Sequence, residues 1–295
     1  MSVSEPKKRR RKKGRFFRKL IVLVIFAAVA ALLLGTPPVR NPENALRRSG
    51  KCNILLAGTD ADGTRTDTIM LLSLDQTGGT LRLLSIPRDT YAAGYGASKL
   101  NSVYSAGGTG ASGMELLMDQ VAGVIGFAPD AYVLVDLECF VEAVDLLGGV
   151  DFDVPMDMHY DDPAQGLAIH LSAGYQHLDG EQAMELVRFR SGYANADIGR
   201  TEVQRAFMKA ALRQWLRPSN LAALPSLWRL YWDNMVTDLT PRNLLWIARM
   251  LIKADLEEMQ TDVLPGWADM VGGSSVYLID PFAAEDVLRP YDPYQ

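Results

Sequence analysis

From Leu20 to Val39 the chain carries no charge, and residues 20–34 are drawn purely from Leu, Ile, Val, Ala and Phe. A helix that spans a bilayer needs about 20 such residues. Ten Lys or Arg and one Glu crowd residues 1–19, and Phe16 and Phe17 fall at the boundary. A positive flank on the N-terminal side predicts a cytoplasmic tail and an exported bulk. The same basic residues would hold the anionic inner leaflet. A cleaved signal peptide is the alternative. Small residues occur at Ala27–Ala31, but Leu32-Leu-Leu-Gly35 continues the apolar run past them. The expected organisation is a basic tail (1–19), a transmembrane anchor (20–38) in the cell membrane, a polar linker (39–51) and an extracytoplasmic domain (52–295).

The tail also masks the charge of that domain. Once it is set aside, the chain's 30 basic residues fall to 20 and its 35 acidic residues to 34, so residues 20–295 carry −14. Such a balance argues against nucleic acid as a partner.

Beyond the linker, apolar runs and turn signals alternate. Asn53-Ile-Leu-Leu-Ala57 and Thr68-Ile-Met-Leu-Leu-Ser-Leu74 predict buried strands. Asp75 to Thr80, with Gly78-Gly79, predicts a turn into a third strand, Leu81 to Ile86, stopped by Pro87. Ser112-Gly-Met-Glu115 has the pattern of a capping box opening a helix to about Val124. A strand at Ala131–Asp136, a helix at Glu138–Leu147 and a short strand at Val150–Val154 follow. Asp179-Gly-Glu-Gln182 caps another helix, and Ile198–Leu216 predicts a long one. Further helices are expected at Leu221–Asp233 and Pro241–Ala254, and a strand at Ser275–Ile279. Alternating strands and helices predict a layered α/β domain, an α-β-α arrangement around a central sheet that the early hairpin makes mixed.

Two arginine–aspartate clusters carry the chemistry. The first runs through Asp60-Ala-Asp-Gly-Thr-Arg65-Thr-Asp67 to Ser85-Ile-Pro-Arg88-Asp89; the second is Arg188-Phe-Arg190, then Asp197-Ile-Gly-Arg200 and Gln204. Guanidinium groups gather in glycine-rich segments chiefly to hold anions. On a helix Arg188 and Arg190 would point about 200° apart, whereas an extended segment puts them on one face. Arg200 and Gln204 are four apart and share a helical face. Asp197 lies near that helix's N-terminus, where the dipole also favours anions. Asp60 closes one strand and Asp67 opens the next, so their carboxylates can meet at Mg²⁺, or pair with Arg65 and Arg88.

Other patterns carry less. Gly108-Thr-Gly110-Ala-Ser-Gly113 is a formal GxGxxG, but a dinucleotide site needs a strand directly before it; Lys99 to Ser105 predicts a loop. Asp60-Ala-Asp-Gly63 fails as an EF-hand, with glycine at the wrong position and Leu71 in place of the closing Glu. His159, His170 and His177 lack a partnered nucleophile and are expected at the surface or in the core. Cys52 and Cys139 sit in apolar surroundings, which suits buried thiols, while export also permits a disulfide.

Taken in order, these stretches resemble the LytR-CpsA-Psr family of bacterial envelope proteins. The resemblance begins at Ile54-Leu-Leu-Ala-Gly58-Thr-Asp60. It continues through Arg65-Thr-Asp67-Thr, Ser85-Ile-Pro-Arg88-Asp89-Thr-Tyr91 and Lys99-Leu-Asn101. Val144-Asp145-Leu-Leu-Gly-Gly-Val150, His177-Leu-Asp-Gly-Glu181, Arg188-Phe-Arg190 and Asp197-Ile-Gly-Arg200 complete it. The tail, anchor and exported domain match the family plan. Val203 departs from it, standing where the family often has another arginine; so does Ala92-Ala-Gly-Tyr95.

The resemblance implies a phosphotransferase that moves a glycopolymer (teichoic acid, capsule or similar) from a membrane polyprenyl (pyro)phosphate to peptidoglycan, in cell wall biogenesis. It implies that Asp60 and Asp67 bind Mg²⁺ or Mn²⁺. Arg65, Arg88, Arg188, Arg190, Arg200 and Gln204 match its phosphate-binding set. Among these, Arg65, Arg88, Arg188 and Arg190, with Asp89, match positions expected to act in catalysis; Asp197 is an acid that orients arginines or acts beside them. A lipid-phosphate-binding regulatory protein and a lipid pyrophosphate hydrolase are the alternatives.

Overall fold

The computed structural model describes residues 50–295 except 76–77, 95–96, 164–166, 194–195, 216–219, 221–225, 227–229 and 231–233. The expected tail, anchor and nearly all of the linker lie outside these residues, as does most of the helix expected at 221–233. No helix among the described residues is long and apolar enough to cross a membrane.

The chain opens with β1 (Lys51–Thr59), β2 (Thr66–Asp75), β3 (Leu81–Ser85), β4 (Tyr91–Gly94) and β5 (Ala97–Lys99). Next come α1 (Leu100–Ala106), α2 (Gly110–Ile125), β6 (Ala131–Val135), α3 (Leu137–Leu146) and β7 (Val150–Val154). A hairpin of β8 (Met158–Asp162) and β9 (Leu167–Leu171) precedes β10 (Gly174–Leu178), α4 (Gly180–Arg188) and α5 (Ala196–Trp215). The remainder comprises β11 (Val236–Thr237), α6 (Pro241–Lys253), β12 (Gln260–Val263), β13 (Gly266–Val271), β14 (Ser274–Ile279) and α7 (Pro281–Leu288).

Six strands form the central sheet in the order β11-β6-β1-β2-β3-β12. β1 pairs with β6 and β3 with β12 in parallel, while the β1–β2–β3 meander and the β11 edge are antiparallel. The mixed sheet flanked by helices is thus as expected. Period-2 burial explains it. Leu55, Ala57, Ile69, Leu71 and Leu84 face a core under α1, α2 and α7. Their neighbours Cys52, Ile54, Met70, Leu72 and Leu83 face a second layer under α6. A strand buried on both faces reads as a continuous apolar run, which is what β1 and β2 show.

A third cluster lies to one side. There β7, β8, β9 and β10 pack with α3, α4 and α5 around Phe152, Met158, Ile169, Leu186, Phe189 and Phe207.

Two local expectations change. Ser112 caps nothing: α2 begins at Gly110, and the Ser112 hydroxyl donates to the Thr109 carbonyl inside the first turn. The helix starts early because Gly110 N–H donates to the Tyr104 hydroxyl at 2.8 Å. The stretch before it is also helical: α1 buries Leu100, Val103 and Tyr104. The GxGxxG therefore joins two helices, and Gly113 is needed for packing, since a Cβ there would lie 2.5 Å from the Tyr104 carbonyl.

Candidate functional site

At the end of β1 the chain reverses through a loop built by Asp60. One oxygen of its carboxylate accepts the N–H groups of Thr64 (2.9 Å) and Arg65 (3.1 Å), and the Asp60 N–H donates to the Arg65 carbonyl at 2.9 Å. Gly63 turns the loop at φ +65°, a conformation costly for other residues. Arg65 is thereby held exposed at the loop's far end.

Asp67 follows in a β-bulge. The register passes from Gly58↔Thr68 to Thr59↔Thr66, leaving Asp67 with no residue opposite. Bulges re-aim side chains beside functional sites. Here the carboxylate meets Arg88, which leaves β3 after Pro87, through one oxygen, and Arg190 Nη2 through the other at 2.8 Å. Burial alone would raise the Asp67 carboxyl; Arg88 and Arg190, with Arg200 beyond them, outweigh it and hold the group below its ordinary value.

The second cluster is assembled by the exit from α4. Asp179 and Gln182 form the capping box at its start, as the sequence predicts. The helix ends at Arg188, Phe189 is extended (φ −63°, ψ 132°), and Phe189 is buried against Tyr193 with ring centroids 5.6 Å apart. The chain does straighten at Arg188, so both guanidinium groups reach one cleft. Gln204 Nε2 donates to the Val187 carbonyl at 2.9 Å, fastening α5 to this exit. Arg200, one turn before it, is buried.

All of Asp60, Arg65, Asp67, Arg88, Arg188, Arg190, Arg200 and Gln204 line a single cleft of about 850 Å³. Asp89 does not: its carboxylate pairs with Lys99 at 3.2 Å, and its carbonyl accepts the Tyr277 N–H. Asp197 lies in the first turn of α5, and its side chain falls outside what is described. Asn101, two residues after Lys99, is buried and donates its N–H to the Arg88 carbonyl. Val203 packs into the third cluster, so a neutral side chain there is core. Sequence reasoning missed Leu137, Tyr160 and Leu167, which also line the cleft. The β8–β9 hairpin that carries the last two is short and histidine-bearing, without a clear strand signature.

Among the described residues no group of three His, Cys, Asp or Glu is placed to hold a metal. Asp60 and Asp67 fit a smaller share of the task. Mg²⁺ is commonly held by one or two carboxylates while phosphate oxygens and water complete its shell. Asp67 spends two of its roughly four acceptor directions on arginine, leaving room for a cation. Two of the histidines make surface pairs instead, His170 with Asp161 and His177 with Asp151, and exposed His159 has its ring 5.8 Å from that of His170.

The sequence matches the LytR_cpsA_psr family over residues 36–289. The chain belongs to this family. An uncharacterized Staphylococcus aureus protein is 30% identical over 224 residues, 75% of this chain and 53% of its own length. The polyisoprenyl-teichoic acid–peptidoglycan teichoic acid transferase TagV of Bacillus subtilis is 27% identical over 225 residues, 74% of this chain and 56% of its own. The match thus spans about half the length of these two curated relatives. The crystal structure of B. subtilis TagV superposes with a TM-score of 0.68 at 25% identity, covering 82% of this chain and 96% of that one. The mixed sheet and its flanking helices are therefore the LytR_cpsA_psr fold.

Proposed function

We propose that this LytR_cpsA_psr protein is a phosphotransferase that attaches a glycopolymer, carried on a polyprenyl (pyro)phosphate, to peptidoglycan. The observation that carries the reading is the convergence of five arginines and Gln204 on one cleft. Against Asp60, Asp62 and Asp67 in the same lining they leave a formal charge of +2, which suits a diphosphate. Family membership and the name of TagV support the same class of donor and acceptor.

The chain's residues divide the work. Arg88 and Arg190, set side by side by Asp67, hold the transferring phosphoryl group, and Arg65, Arg188 and Arg200 surround the remaining phosphate charge. An acceptor hydroxyl attacks in line and releases its proton to solvent, a new P–O bond forms to it, and the bridging P–O bond to the lipid phosphate breaks. Charge then grows on the transferring oxygens and on the departing lipid phosphate, where fixed guanidinium groups stabilise it most. Mg²⁺ or Mn²⁺ held by Asp60 and Asp67 would neutralise further diphosphate charge. Asp67, held ionised by arginines on both oxygens, is a weak base for the acceptor proton.

The apolar run at 20–38 would keep the domain on the membrane that carries its donor, with the basic tail in the cytoplasm and the catalytic domain outside. Arg88→Ala and Arg190→Ala should each abolish transfer from the lipid carrier to peptidoglycan while the protein still melts cooperatively. Normal transfer by both variants would overturn the proposal. Binding without turnover would favour a regulatory protein, and release of phosphate without glycan linkage a hydrolase.

A further inference from the structure

We propose that Tyr160 is a platform for the first sugar ring of the donor, the ring esterified to the diphosphate; this rests on the function proposed above and names a subsite for it.

Beside its arginines the cleft is lined by two separate sets of apolar side chains. One is Leu137, at the start of α3. Leu137 also lines a second groove, of about 530 Å³, between α3 and α4, where Val141, Leu146 and Met184 stand beside Glu138, Glu142, Asp145 and Glu181. The other set is Tyr160 and Leu167 on the β8–β9 hairpin. A glycosylated lipid diphosphate likewise has two ends, an aliphatic chain and a sugar. Leu137 offers the chain aliphatic contact only. The exposed aromatic suits the sugar, whose ring offers a C–H face to the π-system and hydroxyls to polar neighbours.

The position of Tyr160 is fixed, as a platform requires. In the hairpin Met158 pairs with Leu171 and Tyr160 with Ile169. Met158, Ile169 and Leu171 are fully buried in the third cluster and Leu167 packs against it. Tyr160 lies on the same strand face, where that face leaves the core, and remains 40% exposed. The alternate residues His159, Asp161 and His170 point the other way, to solvent. The hairpin is also tied to the arginines: the His170 N–H donates to the Glu185 carboxylate at 2.9 Å. Glu185 lies on α4, one turn before Arg188. One helix therefore carries both Arg188 and the residue that fastens the hairpin bearing Tyr160.

The test uses the full chain in lipid nanodiscs and two probes, a polyprenyl diphosphate bearing one N-acetylhexosamine and the same polyprenyl diphosphate without sugar. Tyr160→Ala should bind the glycosylated probe roughly tenfold more weakly and the bare probe within about twofold of wild type. Tyr160→Phe keeps the ring and should match wild type within about twofold on both. Melting temperatures of both variants establish that the hairpin is intact. Equal weakening on both probes assigns Tyr160 to the lipid or phosphate and overturns the proposal, as does no change on either. Wild-type protein that binds neither probe would instead sink the transferase reading, and this subsite with it.

Discussion

Asp67 Oδ2 and Arg190 Nη2 meet at 2.8 Å across 123 residues of sequence, joining the bulge of β2 to the segment that leaves α4. The other oxygen of the same carboxylate holds Arg88. One aspartate therefore docks the side unit of β7–β10 and α3–α5 onto the central sheet and spaces the two guanidinium groups proposed to hold phosphate.

Asp67→Asn keeps the shape of this junction and removes its charge. Two guanidinium groups then face each other without their shared counterion, which should cost about 1–3 kcal/mol in the ligand-free protein. A bound phosphate would restore the lost negative charge. Thermal unfolding should show a lowered melting temperature for the variant, partly recovered by polyprenyl phosphate. Equal melting of variant and wild type without ligand would show that the junction contributes nothing.

The same carboxylate imposes a pH dependence of definite sign. Arginines hold its folded pKa below the ordinary 3.8 despite the opposing effect of burial. Its contribution is therefore complete above the unfolded value and is lost as pH falls through the lower, folded one. Urea unfolding of wild type and Asp67→Asn should differ at pH 7 and converge as the medium is acidified below about pH 4. A gap that widens on acidification would contradict this assignment.

Gly180 carries a similar burden for the α3–α4 crossing. A Cβ there would lie 2.3 Å from the Val141 carbonyl, and the Gly180 N–H donates to the Asp145 carboxylate at 2.7 Å. Gly180→Ala should push the helices apart and destabilise the fold by about 1–3 kcal/mol. Because α4 ends in Arg188, transfer should fall as well, even at temperatures where the variant is fully folded. Steady-state assays beside unfolding curves would separate the two effects.

Both cysteines are buried, Cys52 on the α6 side of the sheet and Cys139 in α3. Burial first, then Asp136 and Glu142, push the Cys139 thiol up to about 11. A thiol reagent at pH 8 should label neither cysteine in the native protein and both after unfolding. Rapid labelling of native Cys139, or an intramolecular bridge in the purified protein, would count against this arrangement.

Much of this was legible in the residues. The two-sided apolar runs of β1 and β2 and the capping box before α4 announced themselves, and the end of that box's helix led to the extended pair Arg188 and Arg190. What escaped reading depends on register and on neighbours distant in sequence. Nothing in Thr66-Asp67-Thr68 reports a bulge, because the bulge is defined by which residue of β1 lies opposite. Asp89 and Asp67 look alike as acids beside arginines. The turn after Pro87, closed by the Thr90 N–H on the Pro87 carbonyl, separates Arg88 from Asp89 and gives the acid to Lys99. Likewise β8 and β9 bury only alternate residues, so His159 and His170 obscure the strands that present Tyr160.

The direction of β1 has a mechanical consequence. Its first residue, Lys51, and its last, Thr59, stand about 26 Å apart, at roughly 3.3 Å per residue, and the cleft opens at the Thr59 end. With the proposed anchor ending at residue 38, the connection of some twelve residues reaches about 40 Å when fully extended. The proposed transferase domain would thus be tethered by its rear, on a connection about as long as the domain is wide, roughly 45 Å for a domain of its size. Such a reach would let the cleft end meet a lipid phosphate at the bilayer and turn toward the wall without releasing the membrane.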